Sequence, residues 1–255
     1  MIGISAPPLS LMPFSEAKDW VLGNFDLWEI ISEADHYLPE IQGQVKELIE
    51  TTGLRFTVHA PFSDINIAAF DRVARQHSVD VLLEHFRIAS DLDMRTVTFH
   101  PGVIGPIQYW DRDRVGRMTR KSLEEISAQA NEFSTSIALE NMPGMFFATV
   151  QTTEEMEAML EGLDIDMCFD IGHANTTDQL PEMTRLLPRM TNVHVHDNVG
   201  EKDRHMELGK GNIDFADVIP RLASYKGNYI IEVKSLDMGS ALRSRAFLER
   251  LLDEV

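Results

Sequence analysis

DMCFDIGHAN, residues 166–175, is a short apolar run that ends on an acid, Asp170, and then turns at Gly172 into an imidazole, His173. A brief apolar run bounded by a turn signal reads as a buried strand. A packed core alone does not call for a charge at the last position of such a strand. The same ending recurs in both directions along the chain. Upstream, His59 closes RFTVH, His100 closes RTVTFH and Glu140 closes SIALE; downstream, His194 and His196 close NVHVH and Glu232 closes YIIE. Metal-binding and acid–base side chains at the downstream ends of successive strands are what an enzyme on a (β/α)8 barrel needs, because its site lies on that rim.

The stretches between these runs agree. Strands are expected at residues 1–5, 25–30 (ending around Glu29), 55–59, 95–100, 136–140, 165–170, 192–196 and 229–233. Helices are expected at 15–22, 39–52, 71–92, 111–133, from Thr152 or Thr153 onward, at 178–189, 215–223 and 240–252. Val115, Met118, Ser122, Ile126, Ala130 and Phe133 show the helical spacing. Eight strand–helix units argue for a parallel, closed sheet, an α/β fold of the TIM-barrel type. A length of 255 residues suits one such domain, covering 1–255.

Composition narrows the function. Lys and Arg number 23 against 41 Asp and Glu, a net charge of −18, which opposes loose attraction to nucleic acid. No apolar run approaches the roughly 20 residues that span a bilayer, so no membrane partner is expected. The opening MIGISAPPLSLMPF lacks the basic start of a signal peptide. Cys168 is the one cysteine, which rules out an internal disulfide and suits a reducing, cytoplasmic setting. Within an apolar strand it reads as an inert core thiol.

Nine side chains stand out as candidate ligands: His59, His100, Glu140, Asp170, His173, His194, Asp203, His205 and Glu232. Mixed imidazole and carboxylate donors suit Zn, Mn, Co or Fe better than Mg. His36, His77 and His85 fall in loop or helix contexts and read as ordinary structural histidines. His194 is the expected ligand of the HVH pair, with His196 supporting a ligand or touching substrate. Asp197 and Asn198 are expected to shape the loop or to hydrogen-bond the ligands. Trp110, Phe146 and Phe147 could wall off water, and Lys234 or Arg204 could hold a phosphate. Gly209 and Gly211 suit a tight turn better than a phosphate cradle.

The segments VHAPFSDINIA (58–68), TFHPG (98–102), ALENMPG (138–144), CFDIGHAN (168–175), HVHDN (194–198), DRHMELGKGNIDF (203–215) and IIEVK (230–234) resemble the xylose isomerase-like TIM-barrel superfamily. That group contains sugar and sugar-phosphate isomerases and epimerases, and also endonuclease IV. The resemblance implies that Glu140 bridges two metals, with His59 and His100 on one and Asp170, His194 and Glu232 on the other. His173, Asp203 and His205 would hold a third, so that one to three divalent ions are implied. By resemblance to the epimerases, Glu140 and Glu232 would exchange a proton with the carbon beside a carbonyl, through a metal-stabilised enediolate. The alternative is a multinuclear zinc phosphodiesterase acting on abasic DNA. Two departures from the nuclease pattern matter: its Thr-Cys is Ile171-Gly172 here, and its His-Leu-Asn-Asp is His194-Val195-His196-Asp197. The partner favoured is therefore a small sugar or sugar phosphate, with nucleic acid only under the alternative.

Overall fold

The short apolar runs do pair as parallel strands, and they close on themselves. A computed structural model describes residues 1–254. Its strands are β1 (Ile2–Ser5), β2 (Leu27–Ile31), β3 (Arg55–His59), β4 (Thr96–Phe99), β5 (Ser136–Glu140), β6 (Asp166–Asp170), β7 (Met190–Val195) and β8 (Asn228–Glu232). They follow one another around a closed barrel, and β8 returns to β1 through pairs from Ile2↔Tyr229 to Ser5↔Glu232. Side chains alternate across such strands. Met167 and Phe169 of β6 join the core between sheet and helices, with Trp28, Phe86 and Phe99; Cys168 and Asp170 fall on the other face.

Outside lie α1 (Phe14–Val21), α2 (Leu38–Thr52), α3 (Arg72–Asp91), α4 (Arg112–Ala130), α5 (Thr153–Leu160), α6 (Ile171–Thr176), α7 (Leu180–Met183), α8 (Phe215–Arg221) and α9 (Met238–Asp253). Their starts are chemically marked. The Asp71 carboxylate accepts from the amides of Val73 and Ala74, and Thr152 forms a reciprocal capping box with Glu155. Gly53, with φ 73°, ends α2 in the left-handed region that glycine enters most easily. No described helix is long and apolar enough to cross a membrane.

Three expectations shift. β2 begins at Leu27, in register with Arg55, which places Glu29 in the middle of the strand rather than near its end. β4 and β7 stop at Phe99 and Val195, so His100 and His196 are the first residues beyond them. The single helix expected at 178–189 is instead α7 followed by a 3-10 turn, Thr184–Arg189. Pro188 lacks the amide donor that an α-helix interior requires.

Candidate active site

Glu140, the last residue of β5, is 1% exposed, and its two oxygens face different groups. Oε2 lies 3.2 Å from His59 Nε2 and 3.0 Å from His100 Nε2. Oε1 lies 3.1 Å from His194 Nδ1. The same His194 nitrogen is 3.3 Å from Glu232 Oε1 and 3.8 Å from Asp170 Oδ2. Strand ends from β3, β5, β6, β7 and β8, with His100 just beyond β4, therefore meet at one buried centre. His59 is oriented by its neighbour: Nδ1 lies 2.9 Å from the Ala60 carbonyl, which leaves Nε2 for Glu140.

A third group sits alongside. His173, on the first turn of α6, points Nε2 to within 3.7 Å of Asp203 Oδ2, and His205 Nε2 lies 2.9 Å from the same oxygen. His196 completes it, with Nε2 3.5 Å from Asp203 Oδ1 and its ring stacked on His205 at 3.8 Å. The ligand atoms of His173, His196, Asp203 and His205 all lie within 4.8 Å of one another. So do those of His59, His100 and Glu140, and those of Glu140, Asp170, His194 and Glu232.

Five carboxylates thus converge where water scarcely reaches: Glu29, Glu140, Asp170, Asp203 and Glu232. Burial opposes the charge on Glu140, but the His194 charge and hydrogen bonds from His100, His194 and His59 outweigh it and hold the carboxyl well below the usual range. Burial pushes Glu232 the other way, above its usual value, helped by Glu140 and Asp170 against His194 and His205. Burial also works against a charged His173, yet Asp170, Asp203 and Glu140 raise it to about 10. Acids packed this densely call for added positive charge. Asp170 Oδ2, Asp203 Oδ1, His205 Nδ1 and both nitrogens of His196 are buried with no hydrogen-bond partner. Imidazole and carboxylate donors with orphaned, inward-facing atoms fit divalent cations.

A family model described as the xylose isomerase-like TIM barrel matches residues 17–251. The chain belongs to that family. Of this xylose isomerase-like barrel's relatives, the uncharacterized protein MJ1311 of Methanocaldococcus jannaschii is 32% identical over 240 residues, 91% of this chain and 82% of its own. A probable endonuclease 4 of Aquifex aeolicus is 29% identical over 177 residues, 61% of each chain. The crystal structure of a D-tagatose 3-epimerase-like protein superposes with a TM-score of 0.91 at 31% identity, covering 100% of this chain and 97% of the other. Endonuclease IV from Thermus thermophilus shares the fold at TM-score 0.69 and 21% identity, covering 100% of this chain and 99% of its own.

The structure brings all nine candidate ligands of this xylose isomerase-like barrel together, and adds His196 to them. Lys234 borders the third group: its ammonium donates to the Asp203 carbonyl and lies 3.2 Å from Oδ2. Trp110 is 82% exposed on a 3-10 turn, Gln108–Trp110, packed edge-on against Tyr109. Phe146 and Phe147 are exposed too, and so is Arg204. The amides of Gly209 and Gly211 donate to Asp197 Oδ2 at 2.9 and 2.8 Å, so a side chain of the protein fills the turn they make. Asn198 braces the same loop through Gly172 and Gly200.

Two residues that carry the site stand outside the candidates that the sequence pattern supplies. Glu29 is fully buried, with Oε1 2.7 Å from His194 Nε2 and Oε2 accepting from Asn192 and Thr57. An acid inside LWEII is the available signal. Asn141 ties β5 to β6 by exchanging hydrogen bonds with the Asp170 backbone, and its carbonyl lies 2.8 Å from His173 Nδ1. Its place directly after Glu140 in ALENMPG is the only hint. Cys168 is a buried thiol pushed up to about 12 by burial, which suits an inert group.

Proposed function

We propose that this protein is a divalent-metal-dependent isomerase or epimerase of a sugar or sugar phosphate. The carrying observation is that Glu140 and Glu232, from β5 and β8, present their carboxylates to one buried centre at His194, 3.1 and 3.3 Å from the same nitrogen. Glu140, Asp170, His194 and Glu232 would hold the cation there, and Zn, Mn, Co or Fe suits such donors. When bound, the cation supplies positive charge for the negative charge that develops on the substrate's carbonyl and hydroxyl oxygens. One glutamate removes the proton from the carbon beside the carbonyl, and the other returns a proton to that carbon or its neighbour. On the opposite edge of the His194 ring, Asn192 lies 3.2 Å from Nε2 and the Glu29 carboxylate 2.7 Å from it, while Nδ1 faces the two acids. His100 is the most open of the site's six imidazoles, at 18% side-chain exposure, and it stacks on Phe62 at 4.9 Å. A sugar would enter over these two rings. The likeness to a D-tagatose 3-epimerase-like protein supports the same reading.

Incubation of the metal-loaded protein in deuterated water with a panel of ketoses and ketose phosphates tests it. Deuterium should appear at the carbon beside the carbonyl; none across the panel, with each of the four metals, overturns the reading. The three donor groups around Glu140 favour a second reading, a phosphodiesterase of the endonuclease IV kind. Nicking of an abasic-site oligonucleotide at catalytic protein concentration, abolished by Glu140→Gln, would establish it instead. The net charge of −18 weighs against that outcome.

A further inference from the structure

We propose that His196 is the fourth protein ligand of a closed cation site, formed with His173, Asp203 and His205, whose role is to hold the loop after β7. The imidazole of His196 is 0% exposed, and neither nitrogen has a hydrogen-bond partner. A polar ring buried without partners is unfavourable unless something else satisfies it. Its Nε2 points among acceptors only: Asp203 Oδ1 at 3.5 Å and Asp170 Oδ1 at 3.1 Å, the latter at an angle that makes no hydrogen bond. Across the stack, His205 Nδ1 is likewise unpartnered, and so is Asp203 Oδ1. One cation among the four side chains would use these atoms together.

The chain is shaped to admit this ring. A Cβ at Gly172 would overlap the His196 imidazole, so the glycine in Asp170-Ile-Gly-His173 and the second histidine of HVH belong to one arrangement. His205 occupies the left-handed region at φ 45°, which a non-glycine residue adopts at a cost, and this brings its ring over His196.

Three imidazoles and a carboxylate are a donor set for zinc or a similar ion. Four protein ligands are the pattern of structural sites, whereas catalytic sites keep a position for water or substrate. The four come from α6, from the residue after β7, and from the loop bearing Asp203 and His205. An ion there would pin that loop beside Glu232, whose Oε2 is 3.5 Å from His205 Nδ1.

Elemental analysis and chelator competition on the full chain test this, with His196→Asn compared to the parent protein. The parent should keep one zinc that resists the chelator. His196→Asn should bind that ion at least about 100-fold more weakly, since losing even an outer partner of a ligand costs up to about that. The other ions should be unaffected. Equal affinity in the folded variant overturns the proposal. If the variant does not fold, anomalous scattering at the zinc edge from crystals of the parent protein decides. An ion about 2.0–2.1 Å from His196 upholds the site, and one ligated only by His173, Asp203 and His205 overturns it. Both readouts are independent of the deuterium-exchange experiment, so failure of the sugar reaction leaves this proposal standing, and the reverse.

Discussion

His194 lies between two acids, with Glu29 Oε1 2.7 Å from Nε2 and Glu140 Oε1 3.1 Å from Nδ1. Its position therefore depends on an acid that is itself no part of the three donor groups. Glu29→Gln removes the charge while keeping the shape, and metal affinity should fall by about 10–100-fold, as measured by chelator competition. Under the proposed reaction, Glu232→Gln removes a proton-transfer group that is also a donor to the cation. Deuterium exchange should slow by about 10²–10⁴-fold, with an unchanged far-UV circular dichroism spectrum separating this from unfolding. The residues at strand ends were legible because charge there breaks the apolar pattern. Glu29 was harder to see, because its strand's register with β3, and not its position in the run, places it inside the barrel.

At the scale of elements, the loop after β7 is organised by one carboxylate. Asp197 accepts from the amides of Gly209, Gly211, Asn198 and Ile213, and its backbone exchanges hydrogen bonds with Met206. Asp197→Ala would strand these buried donors and cost about 1–3 kcal/mol, read as a lower urea midpoint. It should also weaken metal binding, because Asp203 and His205 ride on that loop. The turn glycines of LGKGNIDF were readable from their residue type. That Asp197 shapes this loop was expected too, but not that it does so by filling the turn, since nothing local couples residue 197 to 209 and 211. The segment at 178–189 shows a different limit: its helical composition was visible, but Pro188, which an α-helix interior does not accommodate, leaves a short α7 and a 3-10 continuation.

Over the whole molecule, His36 and His85 serve the core rather than the site, as their loop and helix contexts indicated. His36 packs edge-on against Phe14 and Trp28; His85 bonds Ser32 Oγ and the Val81 carbonyl. Burial lowers both below the ordinary value of 6.5. The unfolded chain therefore takes up protons that the folded chain refuses as pH falls through about 6.5. Stability should decline from there until the lowered folded values are passed, and then level. Urea unfolding between pH 5 and 8 should show His85→Gln with a shallower decline than the parent, by up to about 1.4 kcal/mol per pH unit. An identical slope would remove His85 from this account.

The barrel, and the gathering of most of the candidate donors at one end of it, could be read from the sequence alone, because strand and helix periodicities are local and because ionisable groups at strand ends oppose the burial that their neighbours favour. Only the closed structure decided how those groups are shared: that Glu140 turns one oxygen to each side, that Glu29 lies against His194, and that His196 gathers with His173, Asp203 and His205. Such assignments depend on distances between strands far apart in the chain, set by register and by the closure of β8 on β1, and no local pattern encodes them.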